Sequence, residues 1–212
     1  EAGFAVAGAG DVDGDGLDDV LIGAHYAGSS GQGKVYLIYG HAFPSSVITL
    51  SGEADVTLSG VISSDRAGEQ LAAGDVDGDG RSDLLISAPG ADGGSINAGV
   101  VYVVTDPADG SVDLGTESWL TLIGSRAYGR MGTALVHIAN ADGVESSHVV
   151  AGAPLSDTGT GASAGDIWIF DASAGGTQET TDALGHLTGT VAHGHAGAAL
   201  SAVGDLDGDG LD

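Results

Sequence analysis

The sequence predicts an all-β protein assembled from repeated four-stranded antiparallel sheets. Three observations predict it. An aspartate loop recurs at a fixed spacing, the apolar segments between loops have the period of strands, and the composition is rich in Gly (39) but poor in Pro (4) and in Lys plus Arg (5). Short strands and tight turns suit such a composition, whereas a helical solenoid does not.

The loop Asp11-Val-Asp-Gly-Asp-Gly-Leu-Asp-Asp19 returns as Asp75-Val-Asp-Gly-Asp-Gly-Arg-Ser-Asp83 and again as Asp205-Leu-Asp-Gly-Asp-Gly-Leu-Asp212. Asp11 and Asp75 stand 64 residues apart, and Asp75 and Asp205 stand 130 apart, or two steps of 65. The intervening register falls at Asn140-Ala-Asp-Gly-Val-Glu-Ser-Ser-His148. A repeat of this length is one supersecondary unit that buries its apolar faces against its neighbours.

Four segments fill each period. The first precedes the loop: Ala2 to Asp11, the looser Arg130 to Asn140, and Ala196 to Asp205. The second follows it, as Asp19-Val-Leu-Ile-Gly-Ala-His25, Asp83-Leu-Leu-Ile-Ser-Ala-Pro89 and His148-Val-Val-Ala-Gly-Ala-Pro154. After a Gly-rich connector comes the third, Gly33-Lys-Val-Tyr-Leu-Ile-Tyr39, Gly99-Val-Val-Tyr-Val-Val104 and Gly165-Asp-Ile-Trp-Ile-Phe170. The fourth carries Leu58-Ser-Gly60, Leu122-Ile-Gly124 and Leu187-Thr-Gly189. One four-stranded sheet per repeat is the blade of a β-propeller.

These motifs together resemble the FG-GAP repeat of integrin α-subunit propellers over essentially the whole chain, and an exported prokaryotic member is the expectation. The Phe-Gly half is blurred to Gly3-Phe4, Gly68-Glu69, Met131-Gly132 and Gly197-Ala198, while the Gly-Ala-Pro half persists as Gly23-Ala-His25, Ser87-Ala-Pro89 and Gly152-Ala-Pro154. The resemblance implies strand A before the loop, B after it, C at the Tyr/Trp run and D at Leu-x-Gly. It divides residues 1–212 into blade 1 (1–65), blade 2 (66–129), blade 3 (130–194), and the first strand and metal loop of a fourth (195–212). Three blades do not close a ring. The simplest reading is therefore part of a longer, seven-bladed propeller, with assembly of partial propellers from several chains as the alternative.

Three alternating carboxylates repel one another unless a cation sits among them, and a set of oxygen ligands without Cys or His selects a hard cation, Ca²⁺ above all. Loop 1 offers Asp11, Asp13, Asp15, the Leu17 carbonyl and Asp19; loop 2 offers Asp75, Asp77, Asp79, the Arg81 carbonyl and Asp83. The last loop offers Asp205, Asp207, Asp209 and the Leu211 carbonyl as a third site. A helix–loop–helix calcium motif would need a carboxylate at position twelve, where Ile22 and Ile86 stand. In the third repeat Val144 and His148 replace carboxylates, leaving Asn140 and Asp142, and no Ca²⁺ is expected there.

Two motifs look catalytic. Gly28-Ser-Ser-Gly-Gln-Gly-Lys34 follows most of a phosphate loop but continues into Val35, where a Ser or Thr should hold Mg²⁺. Gly161-Ala-Ser-Ala-Gly165 has the nucleophile-elbow spacing but lies in a strand connector. His193 and His195 alternate and would share one side of an extended segment. Of Tyr26, Tyr36, Tyr39, Tyr102, Trp119 and Trp168, those in the third strands are expected between blades. No residue is expected to be catalytic, and Arg81-Ser-Asp83 belongs to a metal loop rather than to an adhesion tripeptide.

A net charge of −25 repels nucleic acid and anionic membranes. The absence of Cys excludes disulfides and thiolate chemistry. No apolar run reaches the ~20 residues of a membrane span, no signal peptide opens the chain, and Glu1 in place of an initiator Met suggests a mature or excised segment. Extracellular modules of this kind work at ~10⁻⁴–10⁻³ M Ca²⁺. The expected function is a non-enzymatic, calcium-stabilised propeller segment for extracellular adhesion or protein–protein contact, partnered by a protein or glycan and by further blades of its parent chain or of another copy. The alternatives are a calcium-dependent carbohydrate-binding module and an accessory domain of a larger extracellular hydrolase.

Overall fold

A computed structural model of the chain describes residues 2–41, 49–140, 146–159 and 161–211. The four strands common to each repeat form where the sequence alternates or runs apolar between Gly-rich turns. Blade 1 comprises β1 (Val6–Gly10), β2 (Asp19–Ala24), β3 (Lys34–Ile38), a helical turn α1 (Leu50–Glu53) and β4 (Val56–Ser59). Blade 2 comprises β5 (Leu71–Gly74), β6 (Asp83–Ala88), β7 (Val100–Val104), β8 (Gly110–Asp113), a second helical turn α2 (Leu114–Glu117) and β9 (Leu120–Ile123). Blade 3 comprises β10 (Ala134–Ile138), β11 (His148–Ala153), β12 (Asp166–Asp171), β13 (Gly176–Glu179) and β14 (Gly185–Thr188).

Within each blade four strands pair antiparallel in chain order: β1-β2-β3-β4, β5-β6-β7-β9 and β10-β11-β12-β14. The register repeats as well. Leu58, Leu122 and Leu187 lie opposite Val35, Val101 and Ile167 on the third strands. This nearly all-β arrangement of stacked sheets is that of β-propeller blades.

The core lies between sheets, as the two-residue period of strands requires. One cluster joins Leu21, Val35, Leu37 and Leu58 of blade 1 to Leu84, Ile86, Tyr102 and Val104 of blade 2. Another joins Leu85, Val101, Val103 and Leu122 of blade 2 to Val149, Ala151, Trp168 and Phe170 of blade 3. Alternate residues of β6 and β7 therefore face opposite neighbours, and every residue of both strands is buried. In β12 the burial alternates instead, leaving Ile167 and Ile169 only half-buried.

Two strands extend this scheme. β8 pairs in parallel with β4, and β13 pairs in parallel with β9. In each case the connection between the third and fourth strands of one blade reaches back to the outer edge of the blade before it.

The first strand expected for a fourth blade is not formed among the described residues after β14. In the other blades that strand is held by the second strand, and among the described residues no strand pairs in this way with 196–211. Among the described residues no helix is long and apolar enough to cross a membrane.

Candidate metal centres

Each aspartate loop is the turn between the first and second strands of a blade. Its shape is set by the first Asp acting as acceptor for two glycine amides. In loop 1, Gly14 and Gly16 donate to Asp11 Oδ1 and Oδ2 at 2.8 and 2.9 Å. In loop 2, Gly78 and Gly80 donate to Asp75 at 2.8 and 3.0 Å. Gly208 and Gly210 donate likewise to Asp205 at 2.6 and 2.8 Å. All six glycines have φ between 79° and 90°, the left-handed region that a side chain disfavours. Asx turns at Asp13, Asp15, Asp77, Asp79, Asp207 and Asp209 complete the three loops.

The carboxylates converge. Oxygens of Asp11, Asp13 and Asp15 lie within 4.8 Å of one another, as do those of Asp75, Asp77 and Asp83 and those of Asp205, Asp207 and Asp209. The ninth residue is the buried carboxylate of each complete loop. Asp19 accepts from Val12 N (2.8 Å) and Gly40 N (2.7 Å), and Asp83 accepts from Val76 N (2.7 Å) and Asp77 N (3.2 Å).

Burial, only partly offset by those amides, pushes the Asp83 carboxyl up to about 6, and the negative charges of Asp77 and Asp79 add to the rise. Burial raises Asp19 too, against the Gly40 and Val12 amides, with Asp13 and Asp11 contributing. A buried carboxylate facing other carboxylates is a site short of positive charge. The donors are all oxygens, so they fit a hard cation.

The two complete loops differ in which carboxylates gather. Asp19 stands outside the loop 1 trio, with both oxygens engaged by backbone amides. Asp79 stands outside the loop 2 trio and is paired with Arg81 at 2.7 Å. Asp79 instead groups with Asp77 and Asp106, and Arg81 also pairs with Asp106. Asp106 follows β7, outside the repeating loop, so the loop spacing carries no signal for it. Leu17 and Arg81 occupy the turn positions from which their carbonyls would be offered. In the third repeat Asp142 and Val144 lie outside the described residues; Asn140 Nδ2 donates to the Gly210 carbonyl at 2.8 Å, and His148 is buried.

The FG-GAP repeat family matches this chain at residues 2–38 and 67–104, the first three strands and aspartate loop of blades 1 and 2. Those two segments match the FG-GAP repeat. Over 91 residues, 41% of this chain, it is 44% identical to the phosphatidylinositol-glycan-specific phospholipase D of Mus musculus and 42% identical to that of Rattus norvegicus. Over 38 residues, 18% of the chain, it is 58% identical to integrin alpha pat-2 of Caenorhabditis elegans. The chain spans about a tenth of the phospholipases' length and 3% of the integrin's.

The strand order also accounts for the two motifs that look catalytic. Gly28 to Lys34 connects β2 to β3, so a strand follows where a phosphate loop requires a helix. Ser163 lies between β11 and β12 at φ 47°, its amide donating to Asp157 Oδ1 at 2.8 Å. Asn97 holds the same place before β7, at φ 46° with its amide on Asp92, so this geometry is a repeated connector turn.

His193 and His195 are not on an extended segment. Both are left-handed, at φ 59° and 52°, because they belong to the fourth-to-first-strand turn that also holds Ser64 with Arg66 and Tyr128 with Arg130 at positive φ. Tyr102 and Trp168 are buried in the clusters between blades and Tyr36 is buried outside them, whereas Tyr26 is exposed beneath the Arg66 guanidinium, 5.4 Å from the ring centre.

Proposed function

We propose that this chain is a calcium-stabilised propeller segment serving extracellular adhesion or protein–protein interaction, with no reaction of its own. The observation that carries it is the convergence of carboxylates at the first-to-second-strand turn of blades that match FG-GAP repeats. Asp11, Asp13, Asp15, the Leu17 carbonyl and Asp19 would hold one Ca²⁺; Asp75, Asp77, Asp79, the Arg81 carbonyl and Asp83 would hold a second. Asp205, Asp207, Asp209 and the Leu211 carbonyl are the candidate third set.

Bound Ca²⁺ would offset two negative charges in each cluster and cross-link the ends of two strands. The chain's own contribution is to order the loop with backbone amides, so that three carboxylates of each loop are already gathered. The similarity to integrin alpha pat-2 supports an adhesive role outside the cell, where Ca²⁺ is available at the concentrations such modules need.

A second reading has its own support. The 44% identity to a phosphatidylinositol-glycan-specific phospholipase D favours an accessory module within a larger hydrolase. Calorimetric titration tests the metal reading: at least two Ca²⁺ per chain are expected, with one lost in Asp13→Ala and one in Asp77→Ala. An attachment assay on immobilised chain separates the two roles. Attachment of cells that is abolished by chelator supports adhesion; no attachment from a chain that binds Ca²⁺ leaves the accessory-module reading.

A further inference from the structure

The two occupied outer edges of this molecule are alike in detail. Gly110-Ser-Val-Asp113 lies parallel to β4 with Gly110 beside Val56, and Gly176-Thr-Gln-Glu179 lies parallel to β9 with Gly176 beside Leu120. Each incoming strand begins with a glycine amide donating to the residue just before the fourth strand: Gly110 N to the Asp55 carbonyl at 2.9 Å, and Gly176 N to the Trp119 carbonyl at 2.7 Å. These glycines have φ of 97° and 105°, and a Cβ on either would meet nothing within 4 Å. The backbone turn, not packing, therefore demands glycine. The two segments share the pattern Gly-(Ser/Thr)-x-(Asp/Glu).

Blade 3 has the same acceptor. Leu184 N donates to the Ile169 carbonyl at 2.8 Å, as Asp55 N does to Leu37 and Trp119 N to Val103. The Leu184 carbonyl thus stands where those of Asp55 and Trp119 receive a glycine. Among the described residues β14 pairs only with β12, so its other edge carries unpaired backbone groups. Leu187 is 58% exposed, while its counterparts Leu58 and Leu122 are fully covered by the blade that follows them.

We infer that the outer edge of β14, with the Leu184 carbonyl at its start, binds in parallel an extended Gly-(Ser/Thr)-x-(Asp/Glu) segment from the third-to-fourth-strand connection of a further FG-GAP blade. The occupant follows from continuity. At both equivalent edges the segment comes from the next blade, whose body also covers the leucine. This is strand addition to a sheet edge, with backbone pairing supplying affinity and the glycine supplying selectivity. It does not depend on the metal loops.

The test uses the ¹⁵N-labelled chain and a capped peptide of residues 109–114, Asp-Gly-Ser-Val-Asp-Leu. Saturable amide shifts confined to β14 and its flanks are expected at millimolar peptide, with slowed exchange of the outward amides of Gly185–Thr188. The peptide carrying Gly110→Val is expected to bind at least tenfold more weakly. Absence of a β14-specific shift, equal binding of the Val peptide, or shifts centred elsewhere would overturn the inference. So would an edge already protected without peptide in a chain that self-associates by sedimentation, since a second copy would then be the occupant.

Discussion

The backbone amide of Ser82, inside the second aspartate loop, donates to the carbonyl of Asp11, the first residue of the first loop, at 2.9 Å. The two candidate metal centres are thus joined by a main-chain hydrogen bond across the blade boundary. A Cβ at Gly10 would press on Ser82 Oγ and one at Gly14 on the Arg81 side chain, so the loops also touch sterically. Ordering one loop should help to order the other. Asp77→Ala is expected to abolish binding in loop 2 and to weaken loop 1 by about fivefold, the lower end of usual site coupling. Because coupling between two bound ions is reciprocal, Asp13→Ala is expected to weaken loop 2 by the same factor where each substitution does no more than empty its own loop. Calorimetry on both variants checks this, and an unchanged affinity at the intact loop would refute the coupling.

Removal of Ca²⁺ should cost stability, because the loops are glycine-rich and expensive to order without a ligand. At free Ca²⁺ about 100 times Kd, one site contributes about 2.7 kcal/mol. For a chain of this size that corresponds to roughly 5 to 10 °C in melting temperature per site. Circular dichroism melts in Ca²⁺ and in chelator measure the difference, and superimposable curves would remove the structural role.

Gly99 opens β7 at φ 90°, and a Cβ there would lie 2.2 Å from the Met131 carbonyl oxygen of the next blade. Gly33 and Gly165 stand in the same relation to Ala67 and Ala196, each also at 2.2 Å. The close approach is therefore a repeated feature of how one blade meets the next. Gly99→Ala is expected to destabilise by about 2–4 kcal/mol, combining left-handed backbone strain with a clash against main chain that cannot swing aside. A urea denaturation series on this variant tests it; a loss below that of an ordinary surface substitution would contradict the contact.

Most of the blade architecture could be read from the chain because it rests on local order. Asp75 to Asp83 and Asp83 to Ala88 carry loop and strand signals in contiguous residues, and the 64-to-65-residue spacing repeats them. What escaped rests on contacts remote in sequence. Gly110 to Asp113 and Gly176 to Glu179 have no apolar alternation, and each pairs with a strand more than 50 residues earlier. The same holds for Asp166, fully buried between Arg126 (2.8 Å) and His186 (2.8 Å), with the His186 ring stacked on Trp168 at 3.8 Å. No spacing in the sequence ties those four residues together. At the candidate site the carboxylate positions are legible, whereas the grouping of Asp79 and Arg81 with Asp106 depends on the segment that follows β7.

Asp65 provides a test by pH. It is buried between blades 1 and 2, with Oδ2 accepting from Ile62 N at 2.8 Å. Burial raises its carboxyl above the ordinary range, the Ile62 amide opposes the rise, and the charge of Asp92 adds to it. A carboxyl that holds its proton more tightly in the folded state favours folding when protonated. Its ionisation then erodes stability as pH rises from about 4, the unfolded value, through the raised one. Asp65→Asn keeps an oxygen for the Ile62 amide and removes the charge. The variant is expected to match wild type at low pH and to exceed it in denaturation midpoint at pH 7. Parallel pH profiles for the two proteins would show that the buried charge carries no such penalty.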